Sequence, residues 1–135
     1  MKKPILCLDF DGVLHSYTSG WKGADQIPDP PVAKMVPFLE RAIKEFDVQI
    51  FSSRSGQPGG LDAMKQWIDH NVMLHFGGAF ADPPELERGL AIISAIGWPT
   101  EKPPAMVTLD DRAITFTGIF PAIETLKEFK PWNKP

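Results

Sequence analysis

The chain carries a single cysteine, Cys7, among 135 residues. One thiol excludes an internal disulfide framework and a zinc site built on several cysteines, and it fits a reducing compartment. Basic charge is also scarce. Lys and Arg number 14 against 17 Asp and Glu, for a net charge of −3. That balance leaves no global positive footprint for nucleic acid or an anionic membrane, while a local basic patch stays compatible with it. Long apolar runs are missing too, since no window approaches the ~20 residues of a membrane span. The run after Met1-Lys2-Lys3 is interrupted by Asp9 and Asp11 and has no small-residue cleavage site. The expectation is a cytoplasmic protein without a membrane partner.

Proline, by contrast, is abundant: 14 of 135 residues, about twice the ~5% average. The apolar stretches between the prolines are intact and the chain is 43% hydrophobic. The excess therefore reads as stiff loops inside one domain spanning 1–135, a normal size for a single core.

Strand and helix patterns alternate. A short apolar run over 5–8 has the pattern of a strand buried on both faces. Helical spacing begins near Val32 and continues through Leu39 and Ile43, with Pro37 marking the expected start of a regular helix to 46. A second strand is expected over 48–51, a Gly-rich loop over 52–60, a helix over 61–71 and a short strand over 72–76. Pro83-Pro84 open a helix over 85–96. A strand over 105–109 follows, then a weaker strand over 114–117 and a helix over 121–129. This order predicts an α/β sandwich with a mainly parallel sheet. In such sheets ligands bind beyond the carboxyl ends of the strands. Asp9 and Asp11, then Ser52 and Arg54, then Asp110 and Asp111 each follow a predicted strand, so all converge on one edge.

Four carboxylates at one edge repel one another unless a cation sits among them. A hard divalent ion such as magnesium accepts oxygen ligands of this kind and leaves positions for water and phosphate. Ser52 supplies a hydroxyl and Arg54 a planar cationic fork for phosphate oxygens. Competing motifs fail on spacing. A calcium loop needs glycine at its sixth position, whereas Gly12 is fourth; a cysteine phosphatase needs an arginine where Val13 stands. Gly56, Gly59 and Gly60 lack the Lys-Ser/Thr ending of a nucleotide-binding loop. Each acidic pair taken alone is also compatible with an ordinary turn after a strand.

Asp9-Phe10-Asp11-Gly12-Val13-Leu14 resembles the Asp-x-Asp-Gly-x-Leu signature of the haloacid dehalogenase superfamily, most of whose members are magnesium-dependent phosphatases. Ile50-Phe51-Ser52-Ser53-Arg54 is similar to its strand-plus-Ser/Thr motif, and Thr108-Leu109-Asp110-Asp111-Arg112 to its terminal acidic motif. The resemblance implies a Rossmann-like three-layer α/β/α sandwich. It makes Asp9 the nucleophile and Asp11 the general acid and base. Ser52 would hold a phosphoryl oxygen, with Ser53, Arg54 and Gly12 beside the phosphate. Magnesium would be held by Asp9, the Asp11 carbonyl, Asp110 and Asp111. Lys102 resembles the lysine that small members place before the last acidic strand, with Arg54 and Arg88 as rivals. An extended chain would leave Lys102 far from the edge unless it folds back near Pro103-Pro104.

About twenty residues, roughly 12–31, form a flap that is too short for a cap domain. A capless member implies a large phosphorylated substrate that covers the site, or a covering partner subunit. The Ser-x-Arg arrangement at Ser52 and Arg54 resembles that of polynucleotide 3′-phosphatases in this superfamily, which implies a nucleotide or polynucleotide 3′-phosphate as substrate. The flap aromatics Tyr17 and Trp21 would stack on bases or simply pack the flap. His15 directly follows the signature and is a further candidate for substrate contact. A catalytically silent binding or regulatory module on the same fold is the alternative.

Overall fold

A computed structural model describes residues 2–134. Its secondary structure begins with β1 (Ile5–Leu8), α1 (Met35–Glu45), β2 (Asp47–Ile50) and α2 (Gly60–His75). A single 3-10 turn at Gly78–Phe80 leads to α3 (Pro83–Ala95), β3 (Val107–Leu109) and α4 (Ile123–Lys127). The three strands are all parallel in the order β2-β1-β3, flanked by helices. Among the described residues no helix is long and apolar enough to cross a membrane.

The register decides where the chemistry lies. Leu8 of β1 pairs with Ile50 of β2 and with Leu109 of β3, so the three strands end level. Two bonds extend the ladder past these ends: the Phe51 N–H donates to the Leu8 carbonyl at 3.1 Å and the Asp9 N–H to the Leu109 carbonyl at 3.0 Å. Asp9 thus emerges between Phe51 and Asp110.

The core that anchors this edge contains Leu8, Phe10, Leu39, Ile50, Met64 and Ile68, all fully buried. Removing each such side chain from water contributes about 1.5–3 kcal/mol. Phe10 lies inside the signature itself, edge-on to the Trp67 ring of α2 with centroids 5.2 Å apart. The hydrophobic core therefore reaches directly under the acidic loop.

Several boundaries differ from those the pattern predicts. Residues 72–75 are not a strand but the last turn of α2, because Val72 continues the buried i, i+4 stripe of Met64 and Ile68. Burial on that stripe outweighs the β-preference of one branched residue. Helix α1 begins at Met35, before Pro37. Pro37 then occupies the third helical position, where no intrahelical N–H bond is lost. Pro83 and Pro84 likewise form the first turn of α3 rather than preceding it. Residues 114–117 form no strand, and the last helix shrinks to Ile123–Lys127. The sheet stops at β3, all of whose residues are exposed. Met106 just before it and Ile119 and Phe120 after it are 73%, 80% and 86% exposed, so these apolar residues have no layer to pack into.

Candidate active site

Asp9, Asp110 and Asp111 offer carboxylate oxygens that all lie within 4.8 Å of one another. Burial is the main force on Asp9. With the negative charges of Asp110 and Asp111 adding to it, its pKa is pushed up to about 8, against the pull of the Phe10 N–H, which donates to Oδ1 at 2.8 Å. A carboxylate in that position becomes comfortable only with a proton or a cation beside it. One further atom points the same way. Asp111 Oδ1 is buried without a hydrogen-bond partner, and an orphaned carboxylate oxygen is costly unless something satisfies it. Three hard oxygen donors with one orphan suit a hard divalent cation by ligand type.

A cavity of about 200 Å³ opens on this cluster, lined by Asp9, Asp110, Ser52, Ser53 and Lys102, with Cys7 at its base. Lys102 reaches it because the chain does not run extended from 102 to 110. Only 107–109 are strand, and the Ala105 N–H turns back to the Pro103 carbonyl at 2.8 Å. Ser52 is buried, and its hydroxyl oxygen accepts the Arg54 N–H at 3.1 Å while its own N–H donates to Ser55 Oγ at 3.0 Å. That leaves the Ser52 O–H free to donate. Cys7 is buried and burial pushes its thiol upward, so it is no nucleophile. Larger concavities, of about 570 and 610 Å³, run along α1 and carry no acidic cluster.

Asp11 is arranged differently from the other three acids. Its carboxylate is not part of the cluster; it faces Arg54 and His15. Arg54 is fully buried and donates Nε to Asp11 Oδ2 at 2.9 Å and Nη2 to Oδ1 at 3.1 Å. Its Nη1 donates to the carbonyls of Gly23, Ala24 and Gln26, and the Trp21 ring stacks 4.7 Å from the guanidinium carbon. Of the five N–H donors of a guanidinium, at most one on Nη2 is then uncommitted. Arg54 therefore ties the flap to Asp11 instead of offering its fork to the cavity beside Asp9.

His15 completes the arrangement. Fully buried, it contacts Asp11 Oδ1 through Nδ1 at 2.9 Å, while the Asp29 N–H donates to Nε2 at 3.0 Å. Because Nε2 accepts, Nδ1 carries the proton and donates it to Asp11. His15 is thus a support for Asp11 with no open face for substrate. Burial disfavours the Asp11 charge, but the bonds from His15 and Arg54 outweigh it and hold the carboxyl below its ordinary value of 3.8.

Gly12 explains the tightness of the signature turn. Its φ is +81°, a conformation that favours glycine, and a Cβ there would collide with the Asp111 carboxylate. Arg88 lies elsewhere, in a two-bond pair with Glu40 at 2.7 Å on the exposed face of α3, and plays no part in the cavity. Asp29 and the flap carbonyls carry no sequence signal for this role, because backbone groups are common to every residue. The spacing of His15 four residues after Asp11 was the available hint. Comparison with protein-family models, with curated proteins and with solved structures returns no match.

Proposed function

We propose that the chain is a magnesium-dependent phosphomonoester phosphatase of the haloacid dehalogenase type, with a capless three-layer Rossmann-like sandwich. The observation that carries the reading is the cluster of Asp9, Asp110 and Asp111 at the carboxyl edge of a parallel sheet, beside a small cavity that Asp9 and Asp110 line together with Ser52 and Lys102. That set combines a nucleophile, oxygen ligands for a divalent cation and two phosphate donors.

Asp9 attacks phosphorus through a carboxylate oxygen as the bond to the leaving oxygen breaks, giving an aspartyl-phosphate. Ser52 and Lys102 donate to the phosphoryl oxygens and hold them in line. Asp9, Asp110, Asp111 and the Asp11 carbonyl would hold magnesium, which would supply charge neutralisation at the phosphoryl group. Asp11 gives a proton to the leaving oxygen and then takes one from the water that cleaves the phosphate from Asp9. The bonds from Arg54 and His15 favour ionised Asp11, which suits the second half of this cycle. The first half needs Asp11 to gain a proton before the leaving group departs. A nucleotide or a polynucleotide 3′-phosphate is the substrate class that the resemblance of the Ser52-x-Arg54 arrangement favours, while Trp21 packs on Arg54 and does not line the cavity.

The Arg54–Asp11 pair also favours a second reading, a catalytically silent binding or regulatory module whose acid is locked away. Hydrolysis of an aryl phosphate with magnesium separates the two. The wild type is expected to turn over and Asp9→Asn to lose ~10³-fold or more. Magnesium binding with no hydrolysis across nucleotides, 3′-phosphorylated oligonucleotides and sugar phosphates would refute the phosphatase and leave the module.

A further inference from the structure

The segment 131–134 folds back across the chain onto the signature turn. The Trp132 indole N–H donates to the Gly12 carbonyl at 2.7 Å, and the Asn133 side-chain amide donates to the Ser16 carbonyl at 3.0 Å. Lys134 Nζ stands 5.9 Å from the Tyr17 ring centroid. These contacts bridge 120 and 117 residues of sequence. Trp132 also lines a cavity of about 250 Å³ with Gly12, Val13, Leu109, Asp110 and Asp111. The indole therefore stands against the turn that carries Asp11 and against the wall that carries two of the clustered acids.

We propose that Trp132 is a positioning residue for the acidic site, acting through the Gly12 carbonyl. The physical need is local. Gly12 has no side chain and sits at positive φ, so its own preferences hold the adjoining peptide groups weakly. Its N–H is fixed by donation to the His15 carbonyl at 2.8 Å, and its Cα is pressed against Asp111. The Gly12 carbonyl is the free end, and among the described residues Trp132 supplies its bond. With that end pinned, the Gly12–Val13 peptide, otherwise held by the Val13 N–H bond to the Phe10 carbonyl at 3.3 Å, cannot swing. Through Gly12 the preceding Asp11 carbonyl and carboxylate keep their aim. Trp132 is itself 64% exposed, so its burial adds little to the core. The contact is thus disproportionate to its packing: one donor, on a largely exposed ring, applied to the backbone beside the acids.

The inference rests on the phosphatase reading for its catalytic consequence, but the pinning has readouts of its own. Trp132→Phe keeps a ring and removes the donor; Asn133→Ala removes the neighbouring bond. In Trp132→Phe, amide exchange at Gly12 and Val13 is expected to quicken and magnesium to bind roughly three- to tenfold more weakly, the worth of one hydrogen bond. The kcat for an aryl phosphate is expected to fall by a similar factor with KM little changed, and the thermal midpoint to move by no more than about 5 °C. Asn133→Ala is expected to show a smaller effect of the same kind. Unchanged exchange and unchanged magnesium affinity in Trp132→Phe would overturn the proposal even if the wild type is an active phosphatase. A wild type without hydrolysis, together with altered exchange and magnesium affinity in the variant, would refute the phosphatase and leave the positioning role standing. A large fall in thermal midpoint would instead make Trp132 a general support of the fold and overturn the proposal.

Discussion

Replacing Arg54 with methionine tests the arrangement most directly. The side chain is fully buried and Asp11 only 14% exposed, so the ion pair is largely dry. Methionine fills much of the same space and removes every donor. Asp11 is then left as a buried charge with only His15 to satisfy it. Breaking one side of a buried pair costs about 3–5 kcal/mol. The flap carbonyls of Gly23, Ala24 and Gln26 lose their donors as well, but they lie near the surface and water can replace Arg54 there, so they add little. The expected loss is therefore the pair itself, a change of at least about a hundredfold in the folding equilibrium. Urea unfolding at neutral pH, with the m-value unchanged, is the assay. The pH dependence supplies a second check. Asp11 is held below its ordinary 3.8, so its contribution is complete above that value and disappears as pH falls through the lower folded value. The gap between wild type and Arg54→Met is expected to narrow on acidification, and the double variant Asp11→Asn/Arg54→Met to recover part of the loss. A cost under about 1 kcal/mol at neutral pH would refute the claim that this pair is buried and holds the flap.

Two further outcomes follow from other parts of the structure. Asp9 has a pKa pushed up to about 8 in the metal-free chain, so it must release a proton to act as a ligand. Magnesium affinity is expected to rise roughly tenfold per pH unit up to that value and then level off; calorimetry in buffers of different ionisation enthalpy should register about one proton released per ion near pH 6.5, and a flat affinity over that range would contradict it. At the other end of the chain, Phe120 is 86% exposed, so Phe120→Ser is expected to change stability by no more than about 0.5 kcal/mol. A cost several times larger in chemical denaturation would mean that the ring is covered in solution.

The predicted order of strands and helices through β3 corresponds to the observed one except over 72–76. Apolar runs such as 5–8 and 48–51 have few alternatives as strands when turn residues bound them. The end of α2 departs from the expected strand because four residues with one β-branched side chain carry no period of their own; packing against the rest of the stripe decides them. Residues 114–117 show the converse error. Their alternating pattern predicts a strand, but a strand exists only with a partner, and residues 114–117 pair with none, leaving β3 as the sheet edge.

What the sequence determined by itself was the set of chemical groups and the rule that delivers them to one place. Asp9, Ser52 and Asp110 each follow an apolar run, and a parallel sheet with a level register brings such residues to a common edge. The tertiary structure alone decided their division of labour. Arg54 and Asp11 are 43 residues apart, and only the meeting of loop and flap makes them partners. Lys102 joins Asp9 because the chain turns at Pro103, and Trp132 reaches Gly12 because the segment after α4 returns to the sheet edge. Hydrogen bonds to backbone carbonyls, which support both the flap and the signature turn, leave no trace in residue type; they exist only once the distances are set.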